Sequence, residues 1–211
     1  MAWEIPIVST RFSNDDVQVI AKDTVFKGYF QMDRYRLRHR TFAGGWTAEI
    51  TREIFERGHA VVVVLYDPIR DEIAMIEQFR TGALAAGEYP WLVECVAGII
   101  DPNESPEQVA RRETVEEAGT EATDIFEVGK FIITPGGSSE TVVLFCARID
   151  ATQIGGLHGL EHEGEDIRVF TLPLTEAYAM VRDSRINNSM AVVAIQWLML
   201  EKAALKARWG V

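Results

Sequence analysis

Three glutamates within one short segment are the side chains of this sequence best suited to chemistry. Glu113, Glu116 and Glu117 stand at positions i, i+3 and i+4, so a helix would place them on one face. Like charges at this spacing destabilise an isolated helix by roughly 0.2–0.5 kcal/mol per pair. A hard divalent cation, which prefers oxygen ligands, would offset that repulsion. The segment therefore predicts a site for Mg²⁺, with Mn²⁺ as the alternative ion.

The residues around these glutamates predict the helix itself. Ser105 can act as the N-cap, Pro106 suits the first helical position, and Gln108 completes a capping box. Gly119 is a typical stop signal just after the last turn. We therefore expect a helix from Ser105 to Ala118, with the glutamates in its second half.

Strands are expected on both sides of this helix. Short apolar runs predict them before it (HAVVVVLY, EIAMIEQF and WLVECVAG) and after it (KFIIT, ETVVLFCARI and EDIRVFTL). Two closing helices follow, in TEAYAMVRDS and in the long segment that ends at Trp209. The order predicts an α+β fold with a mixed sheet between helices. Gly44 and Gly45 separate two partly alternating runs, which predicts a small antiparallel sheet ahead of the main domain. We expect a β subdomain over residues 1–55 and the main domain over 56–211.

Composition excludes several classes of protein. The 211 residues carry a formal net charge of −11, which argues against a nucleic-acid partner. No apolar run has the roughly 18 residues of a membrane span, and the N-terminus lacks the pattern of a signal peptide. We therefore expect a cytoplasmic protein with no membrane contact. Cys95 and Cys146 lie in apolar runs and are expected to be buried thiols.

The helix and its approach also fit a longer pattern, G-x5-E-x7-R-E-U-x-E-E-x-G-U. Its fixed positions are Gly98, Glu104, Arg112, Glu113, Glu116, Glu117 and Gly119. This segment resembles the signature of the Nudix hydrolase superfamily. Thr114 and Thr120 occupy the two U positions, where bulky aliphatic residues are usual. Threonine has a similar shape to valine, so the packing can survive this departure.

The resemblance extends from about residue 25 to the C-terminus. Segments such as TREIFERGHA, PWLVECVAGII, TPGGSSE and GLEHEGEDIRV resemble bacterial ADP-ribose pyrophosphatases of this superfamily. Pro135, fifteen residues after Thr120, matches a proline that marks this branch. The resemblance implies a Nudix fold and Mg²⁺-dependent hydrolysis of ADP-ribose to AMP and ribose 5-phosphate. It also implies more than one metal ion per site and a homodimer with shared active sites.

The same resemblance suggests roles for individual acidic residues and for one arginine. It implies metal ligation by the Ala97 carbonyl, Glu113, Glu117 and Glu165, and makes Glu163 the catalytic base. Glu116 would extend the cluster, and Arg112 would orient a carboxylate, with Glu104 as a candidate partner. Without the motif, the acidic, glycine-rich loop that holds Glu163 and Glu165 would be interpreted as a solvated loop. The assignment of one as base and the other as ligand depends on the resemblance alone.

Substrate contacts also follow from the resemblance. Arginine suits phosphate recognition because its planar fork can form two parallel hydrogen bonds. For each of these residues a bland interpretation, as a solvated charge or a core aromatic, stands beside the functional one. Tyr29 and Phe30 match a pair that approaches the adenine from the other subunit. The remaining matches are Arg52, Glu53, Arg57, Arg80, Ile99, Pro135 and Glu140.

Two other functions compete with ADP-ribose hydrolysis. One is hydrolysis of a different nucleoside diphosphate derivative, either a nucleotide sugar or a dinucleotide. The other is a sensor that binds ADP-ribose without cleaving it. Such sensors usually lose glutamates of the motif or add a DNA-binding domain, whereas here the motif is intact and no basic helix-turn-helix segment is present.

Overall fold

The computed structural model describes residues 12–160, 162 and 164–211, which form two compact units. The first unit contains the described residues up to Arg57 together with Thr134–Glu140. The second contains Gly58–Ile133 and Thr141–Val211. That residues 1–55 and 56–211 are separate domains stays a prediction. The structure adds that residues 134–140 associate with the first unit.

The first unit is built on a three-stranded antiparallel sheet in the order β1-β2-β3. Its strands are β1 (Val17–Lys27), β2 (Gln31–His39) and β3 (Ile50–Glu56). The expected turn lies between β2 and β3, where Arg40 bridges to Trp46. Gly44 and Gly45 both adopt positive φ, which this turn requires and glycine tolerates. Strand β1 was not expected, because its residues are mostly exposed and carry no clear apolar pattern. A short 3₁₀ helix, Asn14–Asp16, precedes it.

The second unit contains the remaining strands and all four α-helices of the described chain. The strands are β4 (Ala60–Asp67), β5 (Glu72–Phe79), β6 (Trp91–Glu94), β7 (Val96–Ile99), β8 (Asp124–Ile132), β9 (Thr141–Arg148), β10 (Gly156–His158) and β11 (Ile167–Pro173). The helices are α1 (Thr81–Ala85), α2 (Pro106–Ala118), α3 (Leu174–Arg182) and α4 (Ser189–Trp209), with a 3₁₀ turn at Ala151–Gln153. Among the described residues, no helix combines the length and the apolar composition that crossing a membrane requires.

These strands form one mixed sheet, as the sequence predicted. Its order is β10-β11-β5-β4-β9-β8, with β6 paired to β5 and β7 paired to β4. Strands β4 and β9 run parallel, and the other pairs are antiparallel. The predicted run WLVECVAG is therefore two strands rather than one. The pairing changes at Cys95, because β6 pairs with β5 and β7 pairs with β4.

Strand β4 lies between two hydrophobic clusters, because alternate side chains of a strand point to opposite faces. Val62 and Val64 belong to the cluster that contains apolar residues of α3 and α4. Val61 and Val63 belong to the cluster that contains Val109 and other residues of α2. The sheet is thus covered by helices on both faces, which confirms the predicted α+β class. Both cysteines are buried and free, also as predicted.

Candidate active site

Helix α2 carries Glu113, Glu116 and Glu117 of the motif and is capped at both ends by its own sequence. Ser105 Oγ accepts a hydrogen bond from the backbone N–H of Gln108 at 3.3 Å. The Gln108 side chain accepts one in return from the Ser105 backbone N–H at 2.8 Å. Gly119 ends the helix in the left-handed conformation, with φ of 63°. Thr114 is fully buried and its hydroxyl donates to the Ala110 carbonyl at 2.7 Å, so this departure from the motif is accommodated.

Strand β7 approaches this helix closely at Gly98. A Cβ atom at this position would overlap the carboxyl group and Cγ of Glu113. The backbone conformation of Gly98 is not in the left-handed region, so the glycine is required for space rather than for φ. The structure shows that Gly98 makes room for a carboxylate.

Glu117 is the most buried acid of the cluster, with only 2% of its surface exposed. Its Oε2 accepts a hydrogen bond from the backbone N–H of Ala97 at 2.9 Å. Burial raises the pKa of Glu117 to about 8, against the opposing effect of this hydrogen bond. The negative charges of Glu113 and Glu165 act in the same direction as burial. A bound cation would favour the ionised form of a carboxyl group that is buried among like charges.

Arg112 links the remaining acids of the motif. Its Nε and Nη2 donate to the two oxygens of Glu104, each at 3.1 Å, in a two-pronged contact. Its Nη1 donates to both Glu113 and Glu116 at 2.8 Å. Burial raises the pKa of Glu113 to about 7, and the charge of Arg112 opposes that rise. The contact between Arg112 and Glu104 is the one that the sequence suggested.

Glu165 lies where the glycine-rich loop returns to the sheet. Its backbone N–H donates to the Leu160 carbonyl at 3.3 Å, and its Oε2 accepts from the Leu160 N–H at 3.2 Å. Gly159 adopts a φ of 97°, and a Cβ there would lie 2.8 Å from the Cβ of Glu165. The predicted base, Glu163, lies outside the described residues.

The donor set of this cluster suits a hard divalent cation. Glu113, Glu117 and Glu165 influence one another electrostatically and offer oxygen ligands, the kind that Mg²⁺ prefers. Among the described residues, no three potential ligand side chains are already close enough together to hold a metal ion. Glu113 accepts a hydrogen bond from Arg112, and Glu117 accepts one from the Ala97 N–H. A bound cation would replace these hydrogen bonds. The chemistry of the residues therefore fits a metal ion.

Two predicted substrate residues lie in the same unit. Arg80 directly follows β5, and its Nε donates to Glu94 Oε2 at 2.7 Å. Its charge is among those that act on the Glu117 carboxyl group. Ile99 ends β7, opposite Ala60 of β4, and is 38% exposed.

In the first unit, one group of predicted substrate residues surrounds Phe30. The Arg57 guanidinium lies over its ring at 5.6 Å from the centroid and pairs with Glu140 at 3.3 Å. The Tyr29 and Phe30 rings are in edge contact at 4.8 Å, and Phe30 also contacts Phe55 at 5.1 Å. Tyr29 itself is 89% exposed. Its ring is therefore accessible to a ligand or to another chain.

A second group in the first unit lines a cavity of about 450 Å³. Arg52 and Pro135 both contribute to its wall, together with Tyr35, Glu56 and Ser139. Glu53 is not in this wall, because successive residues of a strand face opposite sides. Its carboxylate instead pairs with Arg34 at 2.8 Å on the facing strand.

Sequence reasoning missed Glu94 as the partner of Arg80. The two are fourteen positions apart in the chain and become neighbours only because β6 pairs with β5. The available signal was a lone glutamate inside the otherwise apolar run WLVECVAG. That signal alone does not identify a partner.

An acidic helix packed against a glycine-containing strand, within a mixed sheet covered by helices, offers the oxygen ligands of a site for a hard divalent cation. Residues 56–208 match the family described as the NUDIX domain. The chain belongs to this family, which confirms the resemblance seen in the sequence. Nudix hydrolases generally use divalent metal ions.

Relatives match over nearly the whole chain. An ADP-ribose pyrophosphatase of Escherichia coli (strain K12) is 47% identical over 199 residues, covering 94% of this chain and 95% of the relative. An ADP-ribose pyrophosphatase of Haemophilus influenzae is 37% identical over 201 residues, covering 94% and 93%. A GDP-mannose pyrophosphatase of Klebsiella pneumoniae is 31% identical over 181 residues, covering 85% and 90%.

A solved structure supports the same fold. A crystal structure described as that of an ADP compounds hydrolase superposes with a TM-score of 0.68 at 22% sequence identity. The match covers 88% of this chain and 96% of that one. At this identity the likeness establishes the fold, and the predicted Nudix fold is confirmed.

Proposed function

We propose that this protein is an enzyme that hydrolyses the diphosphate of ADP-ribose to AMP and ribose 5-phosphate. The observation that carries the proposal is the convergence of Glu113 and Glu117 on the backbone of β7, where Gly98 leaves room for a carboxylate. The choice of substrate is supported by relatives of that name at 47% and 37% identity.

In this proposal Glu113, Glu117, Glu165 and the Ala97 carbonyl hold Mg²⁺ or Mn²⁺, with more than one ion per site. The bound ions supply charge neutralisation of the diphosphate and lower the pKa of a water molecule. Arg112 keeps Glu113 and Glu116 in place through its contacts with both. Its other contact, with Glu104, fixes the guanidinium itself.

The hydrolysis requires a base for the attacking water. We assign this role to Glu163, on the resemblance of the glycine-rich loop to the family. Water attacks one phosphorus atom, the bridging P–O bond breaks, and its oxygen leaves with one phosphate group. Glu163 takes up the proton of the water as the new P–O bond forms.

Substrate recognition is assigned to the residues that match binding positions of the family. Arg80 would contact the diphosphate. The same resemblance assigns substrate contacts to Arg52, Glu53, Arg57, Ile99, Pro135 and Glu140. Tyr29 and Phe30 would approach the adenine in the site of a second subunit, which requires a homodimer. The high exposure of the Tyr29 ring supports such a contact. A cytoplasmic location is part of the same proposal.

Turnover on a small panel of substrates tests the proposal. Purified protein with Mg²⁺ would be given ADP-ribose, GDP-mannose and a dinucleotide diphosphate, and products would be separated by ion-exchange chromatography. We expect ADP-ribose to have the highest kcat/KM and to yield AMP and ribose 5-phosphate. A higher kcat/KM for GDP-mannose would support the second candidate, which the relative at 31% identity favours. Tight binding of ADP-ribose without any product would identify a sensor.

A further inference from the structure

Glu94 makes a specific contact with Arg80 that no sequence motif indicates. Arg80 Nε donates to Glu94 Oε2 at 2.7 Å. The Glu94 side chain is 14% exposed and that of Arg80 is 42% exposed. A mostly buried carboxylate therefore holds a more accessible guanidinium. Within the described ranges, Nη1 and Nη2 of Arg80 donate to no protein atom. The end of the guanidinium that can bind a phosphate group is thus left available.

The backbone around this pair is fixed on both sides. The N–H of Arg80 donates to the Pro90 carbonyl at 2.7 Å, which closes the connection between the two strands. Strands β5 and β6 pair in a continuous register from Ile76 opposite Glu94 to Phe79 opposite Trp91. A side chain held by a regular strand is placed more reproducibly than one on a loop.

The pair is also linked by the chain to the acidic cluster. Glu94 is the last residue of β6, and Ala97 lies three positions further on, in β7. The Ala97 N–H donates to Glu117 Oε2 at 2.9 Å. The strand segment that holds Arg80 through Glu94 therefore also contacts a proposed metal ligand.

We propose that Glu94 is a positioning residue for hydrolysis: it holds the Arg80 guanidinium so that Nη1 and Nη2 face the diphosphate of the substrate. Arginine without a partner samples many rotamers, and ordering it would weaken substrate binding. Glu94 removes this cost before the substrate arrives. The inference depends on the proposed diphosphate chemistry of this site, although not on the identity of the sugar or nucleoside.

A double-mutant cycle tests the role of Glu94. The kcat and KM of Glu94→Ala, Arg80→Ala and the double variant would be measured with Mg²⁺ and ADP-ribose. We expect each single change to lower kcat/KM on the order of 10- to 100-fold, mainly through KM. The double variant should be no worse than Arg80→Ala alone, because Glu94 acts through that arginine. Losses that multiply in the double variant would overturn the proposal.

Two further measurements separate positioning from a structural role. Glu94→Gln keeps an acceptor for Arg80 Nε and should recover most of the affinity for α,β-methylene ADP-ribose, measured by calorimetry. An equal loss of affinity in Glu94→Gln and Glu94→Ala would contradict positioning by this hydrogen bond. If Glu94→Ala does not fold, as judged by thermal unfolding, Glu94→Asp takes its place in the cycle, since its shorter arm withdraws the carboxylate.

Glu77 provides a matched control. Its Oε2 accepts from Arg168 Nε at 2.7 Å, the same distance as between Arg80 Nε and Glu94 Oε2, and Arg168 Nη2 contacts the same oxygen. Glu77→Ala should therefore change kcat/KM by less than about 3-fold. If the wild-type protein prefers another nucleoside diphosphate, the proposed substrate fails, and the same cycle on that substrate still decides the role of Glu94.

Discussion

The backbone of Gly98 lies directly against the carboxyl group of Glu113, in the space that a Cβ atom would take in any other residue. Strand and helix thus meet at a point where one side is bare backbone and the other is a mostly buried acid. The position of the Glu113 carboxyl group depends on this contact, because a side chain at position 98 would occupy the same space.

Gly98→Ala should therefore disable the enzyme. The added methyl group would push Glu113 away from β7, and we expect kcat/KM to fall about 100-fold. Overpacking should also lower the free energy of unfolding by about 1–3 kcal/mol. Steady-state kinetics and urea unfolding measure the two effects. Gly82→Ala is the control, because nothing lies within 4 Å of a Cβ at that position. Wild-type kinetics in Gly98→Ala would show that Glu113 is not placed by this contact.

Glu117→Gln should lower activity without lowering thermal stability. The amide oxygen can still accept from the Ala97 N–H, and the cost of burying a charge disappears. We expect metal-free protein to unfold at the same temperature as wild type or above it at pH 8. Activity with Mg²⁺ should fall on the order of 100-fold, because an ionised ligand is lost.

The control for Glu117→Gln lies on the same helix. Glu107 pairs with Arg111 at 2.9 Å on the exposed side of α2. Glu107→Gln should change stability by less than about 0.5 kcal/mol and leave activity near that of wild type. Retention of full activity by Glu117→Gln would remove the main support for a metal site on this helix.

Asp67 should make the free energy of unfolding depend on pH in the acid range. Burial opposes ionisation of Asp67, but hydrogen bonds from the backbone N–H groups of Ala151, Arg70 and Ile69 outweigh it and hold the pKa below 3.8. A lowered pKa in the folded state gives stability that is present above the unfolded value of 3.8 and is lost as pH falls through the folded value.

Asp67→Asn removes this contribution. The amide has one acceptor atom in place of two charged oxygens, so at least one backbone N–H loses its partner. We expect the free energy of unfolding at pH 7 to fall by about 1–3 kcal/mol, with a weaker dependence on pH below 4. Denaturant titrations at several pH values measure both. The control is Asp23→Asn on exposed β1, which should match wild type, and equal acid sensitivity in all three proteins would contradict the assignment.

Tyr29→Ala should affect substrate binding without affecting the fold. The ring is 89% exposed, so stability should change by less than about 0.5 kcal/mol. Loss of a stacking contact with adenine should raise KM for ADP-ribose about 10-fold. Tyr89→Ala is the control, since that ring is also exposed and its aromatic contact is with Trp91. An unchanged KM in Tyr29→Ala would argue against a shared adenine site.

The sequence predicted helix α2 almost to the residue because its signals are local. Ser105, Gln108 and Gly119 act within a few positions of one another, and their contacts are those expected of caps. The contact between Arg112 and Glu104 was also within reach, because the motif places both on one short segment. The run WLVECVAG looked like one strand because its apolar character is continuous on both sides of Cys95.

Long-range contacts account for what the sequence did not predict. The pairing of Arg80 with Glu94 depends on the register of β5 and β6, which no local signal defines. The close approach of Gly98 to Glu113 depends on the packing of a strand against a helix. Strand β1 has apolar residues, but they do not alternate regularly along VQVIAKDTVFK and most of its side chains are exposed, so hydrophobic periodicity did not reveal it. The role of Glu163 as the catalytic base stays a prediction, since that residue lies outside those described.

Strand β4 supplies alternate residues to two separate hydrophobic clusters. Insertion or deletion of a single residue within it would therefore exchange every side chain that follows between the two faces. Loops elsewhere in the chain can change length at a small cost in closure entropy. The spacing between Gly58 and Asp67 has no such freedom, so among functional descendants of this sequence we expect it to tolerate substitutions but not changes in length.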